Sequence, residues 1–213
     1  MRYRLTFTKE YPVKYVGHMD VVLSWTRAFR RAGVPLAYSA GFNPRAKIQV
    51  AASLPVGTMG SAELMDITLT EPMEPDEILR RVNATLPNGY RLLAVEAIAA
   101  DTPKLQASLR QAEYRVTVET DLSAAEIQSR IEHLLAQTEI IQTRIRRKRE
   151  ETFDLRPLVF DIALLEKTDA DAVLTMRLSA GQHGNVRPDA MLHALGIQNT
   201  WVQTERTKLI FDI

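Results

Sequence analysis

Apolar and polar residues alternate from Arg2 to Lys9, with Tyr3, Leu5 and Phe7 on one side and Arg2, Arg4, Thr6 and Thr8 on the other. A period of two predicts a strand. After Gly17-His18-Met19-Asp20 the period lengthens. Val22, Leu23, Trp25, Thr26, Phe29 and Ala32 form a helical stripe, Arg27, Arg30 and Arg31 fall outside it, and Gly33 and Pro35 end the helix. Alternation returns over 48–54 and 63–70, the latter with Leu64, Asp66, Thr68 and Thr70 opposite Met65, Ile67 and Leu69. Pro75-Asp76-Glu77 opens a second helix with Ile78, Leu79, Val82 and Leu86 on its inner side, and 90–98 reads as a fourth strand.

The order β-α-β-β-α-β predicts a ferredoxin-like unit over residues 1–102. A boundary follows at Asp101-Thr102-Pro103-Lys104, and the plan begins again. A strand at 114–118 leads to a capping-box helix start at Ser123 and Glu126, with Ile127, Ile131, Leu134 and Leu135 inside. Strands at 139–148, 159–166, 173–178 and 202–213 and a short helix at Pro188 complete a second unit, 108–213. The expected fold is α+β: two tandem ferredoxin-like subdomains with antiparallel sheets and helices on one face, the second half carrying an extra strand.

Between the first helix and the second strand lies Tyr38-Ser39-Ala40-Gly41-Phe42-Asn43-Pro44-Arg45-Ala46-Lys47. Gly41 permits positive φ, Asn43 suits a turn and Pro44 fixes its own φ, so this is a loop with one defined path. Tyr38 and Phe42 either staple it to the core or present rings to a ligand. Gly181-Gln182-His183-Gly184-Asn185-Val186-Arg187-Pro188 has a similar makeup.

The chain has 213 residues, net charge +1 and no cysteine. Without thiols it has no disulfide, no thiolate nucleophile and no cysteine-held iron–sulfur or zinc site. Cations crowd the N-terminal segment, where Arg2, Arg4, Lys9, Lys14, Arg27, Arg30, Arg31, Arg45 and Lys47 face only Glu10 and Asp20. A second run, Arg144 to Arg149, alternates along an expected strand, as a solvated edge or a phosphate contact. The four histidines are scattered, so no metal site is expected; His18, at a helix entrance, is the one candidate acid-base group. No apolar run is long enough to span a bilayer and no signal peptide is evident, which makes cytoplasmic localisation the expectation.

Three stretches, Gly17-His18-Met19-Asp20, Ala28-Phe29-Arg30-Arg31-Ala32-Gly33-Val34-Pro35 and the loop from Tyr38 to Lys47, resemble the radical-SAM-linked domain family of unknown function. The likeness continues at Leu54-Pro55-Val56-Gly57, Asp154-Leu155-Arg156-Pro157 and Gly184-Asn185-Val186-Arg187-Pro188-Asp189. It implies a domain encoded beside, or fused to the C-terminal side of, a radical SAM protein that would carry S-adenosylmethionine, an iron–sulfur cluster and in many cases cobalamin. No activity comes with the family.

The leading expectation is a non-catalytic accessory subunit of a radical SAM protein that presents a substrate, RNA being the candidate. Its expected anion- or substrate-binding residues are Arg30, Arg31, Tyr38, Gly41, Phe42, Asn43, Arg45, Lys47, Arg156, Asn185 and Arg187. The alternatives are an RNA-processing nuclease using His18 as general base, and a scaffold only.

Overall fold

The computed structural model describes residues 1–146 and 149–212; Arg147 and Lys148 of the basic run lie outside the described residues. The fold is α+β. Residues 1–109 and 206–213 form one compact unit and 110–205 the other. Ser108, Leu109 and the segment from Arg206 onward, grouped with the second half on sequence grounds, fall in the first of these units.

The first unit runs β1 (Arg2–Lys9), α1 (His18–Arg31), β2 (Ile48–Val50), β3 (Thr58–Thr68), α2 (Pro75–Asn83), β4 (Tyr90–Ile98) and the short α3 (Leu105–Ser108). Its strands lie in the order β4-β1-β3, with β2 also paired to β3, and every one of these pairings is antiparallel. Tyr3, Leu5 and Phe7 of β1 are buried as alternation requires. Trp25 of α1 is fully buried against them, its ring 4.9 Å from Phe7, 5.7 Å from Phe29 and 5.9 Å from Tyr90. The buried face of α1 is Val21, Trp25, Ala28 and Phe29. Leu23, expected on that face, is exposed because it lies two residues, about 200°, from Trp25 on the helix. At the helix end Gly33 takes φ +68 and Val34 N donates to Phe29 O at 3.0 Å, a left-handed cap.

The second strand is shorter than expected. The Ala52 carbonyl accepts from Arg206 at 2.8 Å, so it is spent on a side chain and not on a ladder. The partner β3 in turn begins earlier than its pattern indicated, because its first residues include Gly60 and the small Ser61 and Ala62, which carry little hydrophobic signal.

In the second unit, β5 (Leu109–Glu119), nearly all of it within this unit, precedes α4 (Ala124–Ala136). The Ser123–Glu126 capping box is present: Glu126 N donates to Ser123 Oγ at 3.3 Å and Ser123 N to Glu126 Oε2 at 2.8 Å. The Ser123 hydroxyl, which donates to Glu126 Oε2 at 2.7 Å, and then the Ser123 N–H hold the Glu126 carboxyl below its ordinary range. Next come β6 (Ile141–Arg146) and β7 (Arg149–Asp154), which among the described residues form a two-stranded sheet of their own. The segment of β7 was expected as connection; its charged sequence, Arg149 to Asp154, lacks the apolar face that marks a sheet strand. β8 (Val159–Lys167), β9 (Asp171–Ser179), α5 (Pro188–Ala194) and β10 (Val202–Phe211) follow, in the order β10-β5-β9-β8. The chain leaves this unit within β10, between Glu205 and Arg206.

Candidate functional site

The loop from Tyr38 to Lys47 is held at its base by β3. Ala37 N donates to Thr68 O at 2.8 Å, Thr68 N to Lys47 O at 3.1 Å and Lys47 N to Ala37 O at 2.8 Å. Higher up, Tyr38 bridges Ala46, Ser39 N donates to Arg45 O at 2.9 Å, and Arg45 N returns to Ser39 Oγ at 3.0 Å. These bonds close a narrow arm whose tip turns at Gly41, φ +118. Ala46 packs against the core, so its neighbours Arg45 and Lys47 face away from it and are exposed. Phe42 is 100% exposed at the tip and Tyr38 is 47% exposed. The arm therefore offers an aromatic ring, a half-exposed tyrosine and two cations to solvent.

Arg31 donates to Thr85 O at 2.6 Å, just past the end of α2, which makes it a cap for that helix. Arg30 is exposed, and among the described residues no hydrogen bond or ion pair joins it or Arg31 to the loop. Arg2 and Arg4, which alternation puts on the face of β1 away from the core, are both tied to the buried Asp66, at 3.1 and 2.9 Å. Sequence reading placed Asp66 on that face without marking it as their partner.

His18 is exposed as the first residue of α1 and lines a void of about 10 Å³ with Lys9, Leu54 and Glu63. That space holds one water at most. No side-chain hydrogen bond joins its imidazole to another group among the described residues. Beneath it lies a group that sequence patterns did not reveal. Arg206, 3% exposed, grips Glu63, 1% exposed, through Nε at 2.8 Å and a second nitrogen at 2.5 Å. Lys9 is buried beside them and donates to Lys14 O at 2.8 Å. Burial holds its ammonium below the ordinary lysine range, Glu63 opposes that and Arg206 reinforces it. The Lys14 ammonium sits 4.0 Å from the Tyr11 ring and 5.0 Å from that of Tyr15, with both tyrosines exposed. Among the described residues no group of three His, Cys, Asp or Glu side chains is placed to hold a metal ion.

In the second unit, three of the five guanidinium N–H groups of Arg156 are taken up by backbone carbonyls. Its guanidinium donates to the carbonyls of Leu135 at 2.9 Å, Gln137 at 3.1 Å and Val159 at 3.0 Å, fastening the end of α4. Asn185 and Arg187 have a different fate. They are exposed and line an open cavity of about 490 Å³ whose opposite wall includes Gln142 and Phe153 from β6 and β7. Gln142 and Phe153 drew no notice in the sequence, because only the hairpin fold-back brings them to this loop.

The profile of a bacterial family, described as "Uncharacterized protein conserved in bacteria (DUF2344)", matches residues 2–188, most of the chain. The protein belongs to this family. The DUF2344 match includes both glycine-rich loops and ends at Pro188, before β10 and its Arg206. No curated protein matches the chain. Among solved structures it is similar to a chain of a Cbf5-Nop10-Gar1 complex, at 15% identity and TM-score 0.50, over 96% of this chain and 48% of that one. A chain of an H/ACA RNP bound to a substrate RNA containing 2'-deoxyuridine is similar at 14% identity and TM-score 0.51, over 97% of this DUF2344 chain and 47% of its own. The chain thus spans about half the length of these two solved chains, and identities this low show a shared fold alone. No helix among the described residues is long and apolar enough to cross a membrane.

Proposed function

We propose that this DUF2344 protein is a non-catalytic binding module, built of two tandem ferredoxin-like units, that holds an RNA strand for a radical SAM enzyme. The ferredoxin-like reading is supported by order. Taking β1, β2, β3 and β4 as the four strands of the first unit, and β5, β8, β9 and β10 as those of the second, each sheet reads fourth-first-third-second, with β6–β7 inserted. The radical SAM partner follows from the sequence resemblance; it would hold the cluster and S-adenosylmethionine for which this chain has no thiolate ligands.

The observation that carries the RNA reading is Phe42, fully exposed at the tip of an arm that its own hydrogen bonds hold in shape. A ring so placed gains nothing from the fold, whereas an unstacked base gains about 1–3 kcal/mol on such a surface. Arg45 and Lys47 on the same arm meet the phosphates, and Tyr38 offers a second ring. The solved relative in a complex with substrate RNA is consistent with this use of the fold.

Binding of a fluorescent single-stranded RNA, measured by anisotropy over a range of salt, tests the reading. Phe42→Ala is expected to weaken binding about 5- to 150-fold at every salt, the equivalent of about 1–3 kcal/mol. Arg45→Ala is expected to weaken it mostly at low salt and to flatten the salt dependence by about one phosphate contact. Binding by both variants equal to wild type, or none by wild type, overturns it. Failure of the radical SAM protein to co-purify would remove that partner and leave the RNA reading standing.

A further inference from the structure

The cavity of about 490 Å³ between the β6–β7 hairpin and the loop at Asn185 has the volume of a small-ligand site, and its walls are chemically mixed. We propose that it binds a nucleoside 5′-monophosphate unit. This goes beyond the loop at Phe42, with which the cavity shares no residue.

Part of the lining is apolar: Leu155 and Val186 are both buried and Phe153 is half-buried, which suits the flat body of a base. Gln142 and Asn185 each present a carboxamide with donors and an acceptor, the complement of a base edge. Arg187 is exposed at the rim, with no side-chain hydrogen bond or ion pair among the described residues, and its fork matches a phosphate. Asp189 beside it accepts hydrogen bonds and suits sugar hydroxyls. A bare anion would leave the apolar lining unused, and a purely apolar ligand would strand Arg187 and Asp189.

The walls are held from behind. Val186 N donates to Ser179 O at 3.0 Å and Ser179 Oγ to Gly184 O at 3.2 Å, which fixes the loop. Leu155 N donates to Ile140 O at 2.8 Å, while Asp154 Oδ1 accepts from Ile140 N at 2.7 Å and Arg156 N at 2.8 Å. The three bonds of Arg156 to carbonyls brace the same lining. Such backing keeps a binding group in one geometry before the ligand arrives.

Calorimetric titration of the full chain with AMP, GMP, CMP and UMP, and with the four nucleosides, tests the site. At least one monophosphate is expected to bind, about tenfold or more tighter than its nucleoside. Arg187→Gln should erase that difference and leave nucleoside binding unchanged, while Phe153→Leu should weaken both; the thermal midpoint of Arg187→Gln should stay that of wild type. A 5′-phosphorylated trinucleotide that competes with the monophosphate assigns the site to a strand end, and one that does not assigns it to the free nucleotide. No binding of any monophosphate at millimolar concentration, or equal binding by Arg187→Gln, overturns the proposal. Phe42→Ala should leave these titrations unchanged, so failure of the loop reading and failure of this one are separately visible.

Discussion

Two loops of closely similar makeup, 38–47 and 181–188, put their central apolar residue in opposite places. In the first, Phe42 stands fully exposed, and a β-carbon added at Gly41 would meet nothing within 4 Å. In the second, Val186 is buried, and a β-carbon at Gly184 would lie 2.7 Å from Leu158 Cδ2 and 3.2 Å from Ser179 Oγ. Glycine, asparagine, proline and arginine specify that a chain turns. They do not specify whether it turns outward or lies down; that depends on what surrounds the turn. The first loop projects as an arm from β3, and the second is laid against Leu158 and Ser179.

The comparison is broken most completely by weakening the strand beneath the first loop. Glu63→Ala would leave Arg206 buried without its carboxylate, and an expected loss of about 3–5 kcal/mol in urea unfolding follows from breaking such a pair. Glu63→Gln, which keeps the shape and a hydrogen-bond acceptor, should cost less. If the alanine variant unfolds like wild type, β3 is not secured in this way.

The glycines themselves sharpen it. Gly184→Ala combines a backbone at φ +148 with crowding against Leu158, for an expected loss of about 2–3 kcal/mol. Gly41→Ala carries the strained φ of +118 alone, for about 1 kcal/mol. Equal losses in denaturant titrations would mean that the surroundings of the two loops do not differ as described.

The smallest expected effect concerns the core under the first loop. Burial, with the charge of Asp20 adding to it, pushes the Tyr90 phenol up to about 12, and its buried hydroxyl has no hydrogen-bond partner among the described residues. The folded state then keeps its proton where the unfolded chain, near the ordinary value of 10.0, has lost it. Unfolding releases a proton in that window, so the contribution is full below about pH 10 and fades as pH rises towards 12. Tyr90→Phe should be neutral or stabilising by under about 1 kcal/mol at neutral pH, since it removes an unpaired polar group. It should also flatten the loss between pH 10 and 12 in thermal unfolding. A variant with the same alkaline decline as wild type would show that Tyr90 is not its source.

The limits of sequence reading are visible in particular residues. Arg45 and Arg156 look alike in the chain, each a cation beside a proline. One is exposed on an arm; the other gives its guanidinium to three carbonyls, two of them about twenty positions back in the chain. Arg2 and Arg4 likewise look free until Asp66 is paired opposite them across β1 and β3. The cavity was half legible: Asn185 and Arg187 announced themselves by loop composition and Gln142 lies in a strand that alternation predicted, while Phe153 sits in a strand whose charged pattern concealed the hairpin.

By itself the sequence determined where β1 and β4 begin and end, how α2 starts at Pro75, and the Ser123 cap of α4, because these depend on neighbours within a few residues. Tertiary structure alone decided that the unit boundary falls within β10, that Glu63 is neutralised by Arg206 from 143 positions away, and that Phe42 faces water while Val186 does not. Local propensity is a property of a window of residues. The partner of a buried charge and the cover over a loop come from distant segments, and only the folded chain brings those segments together.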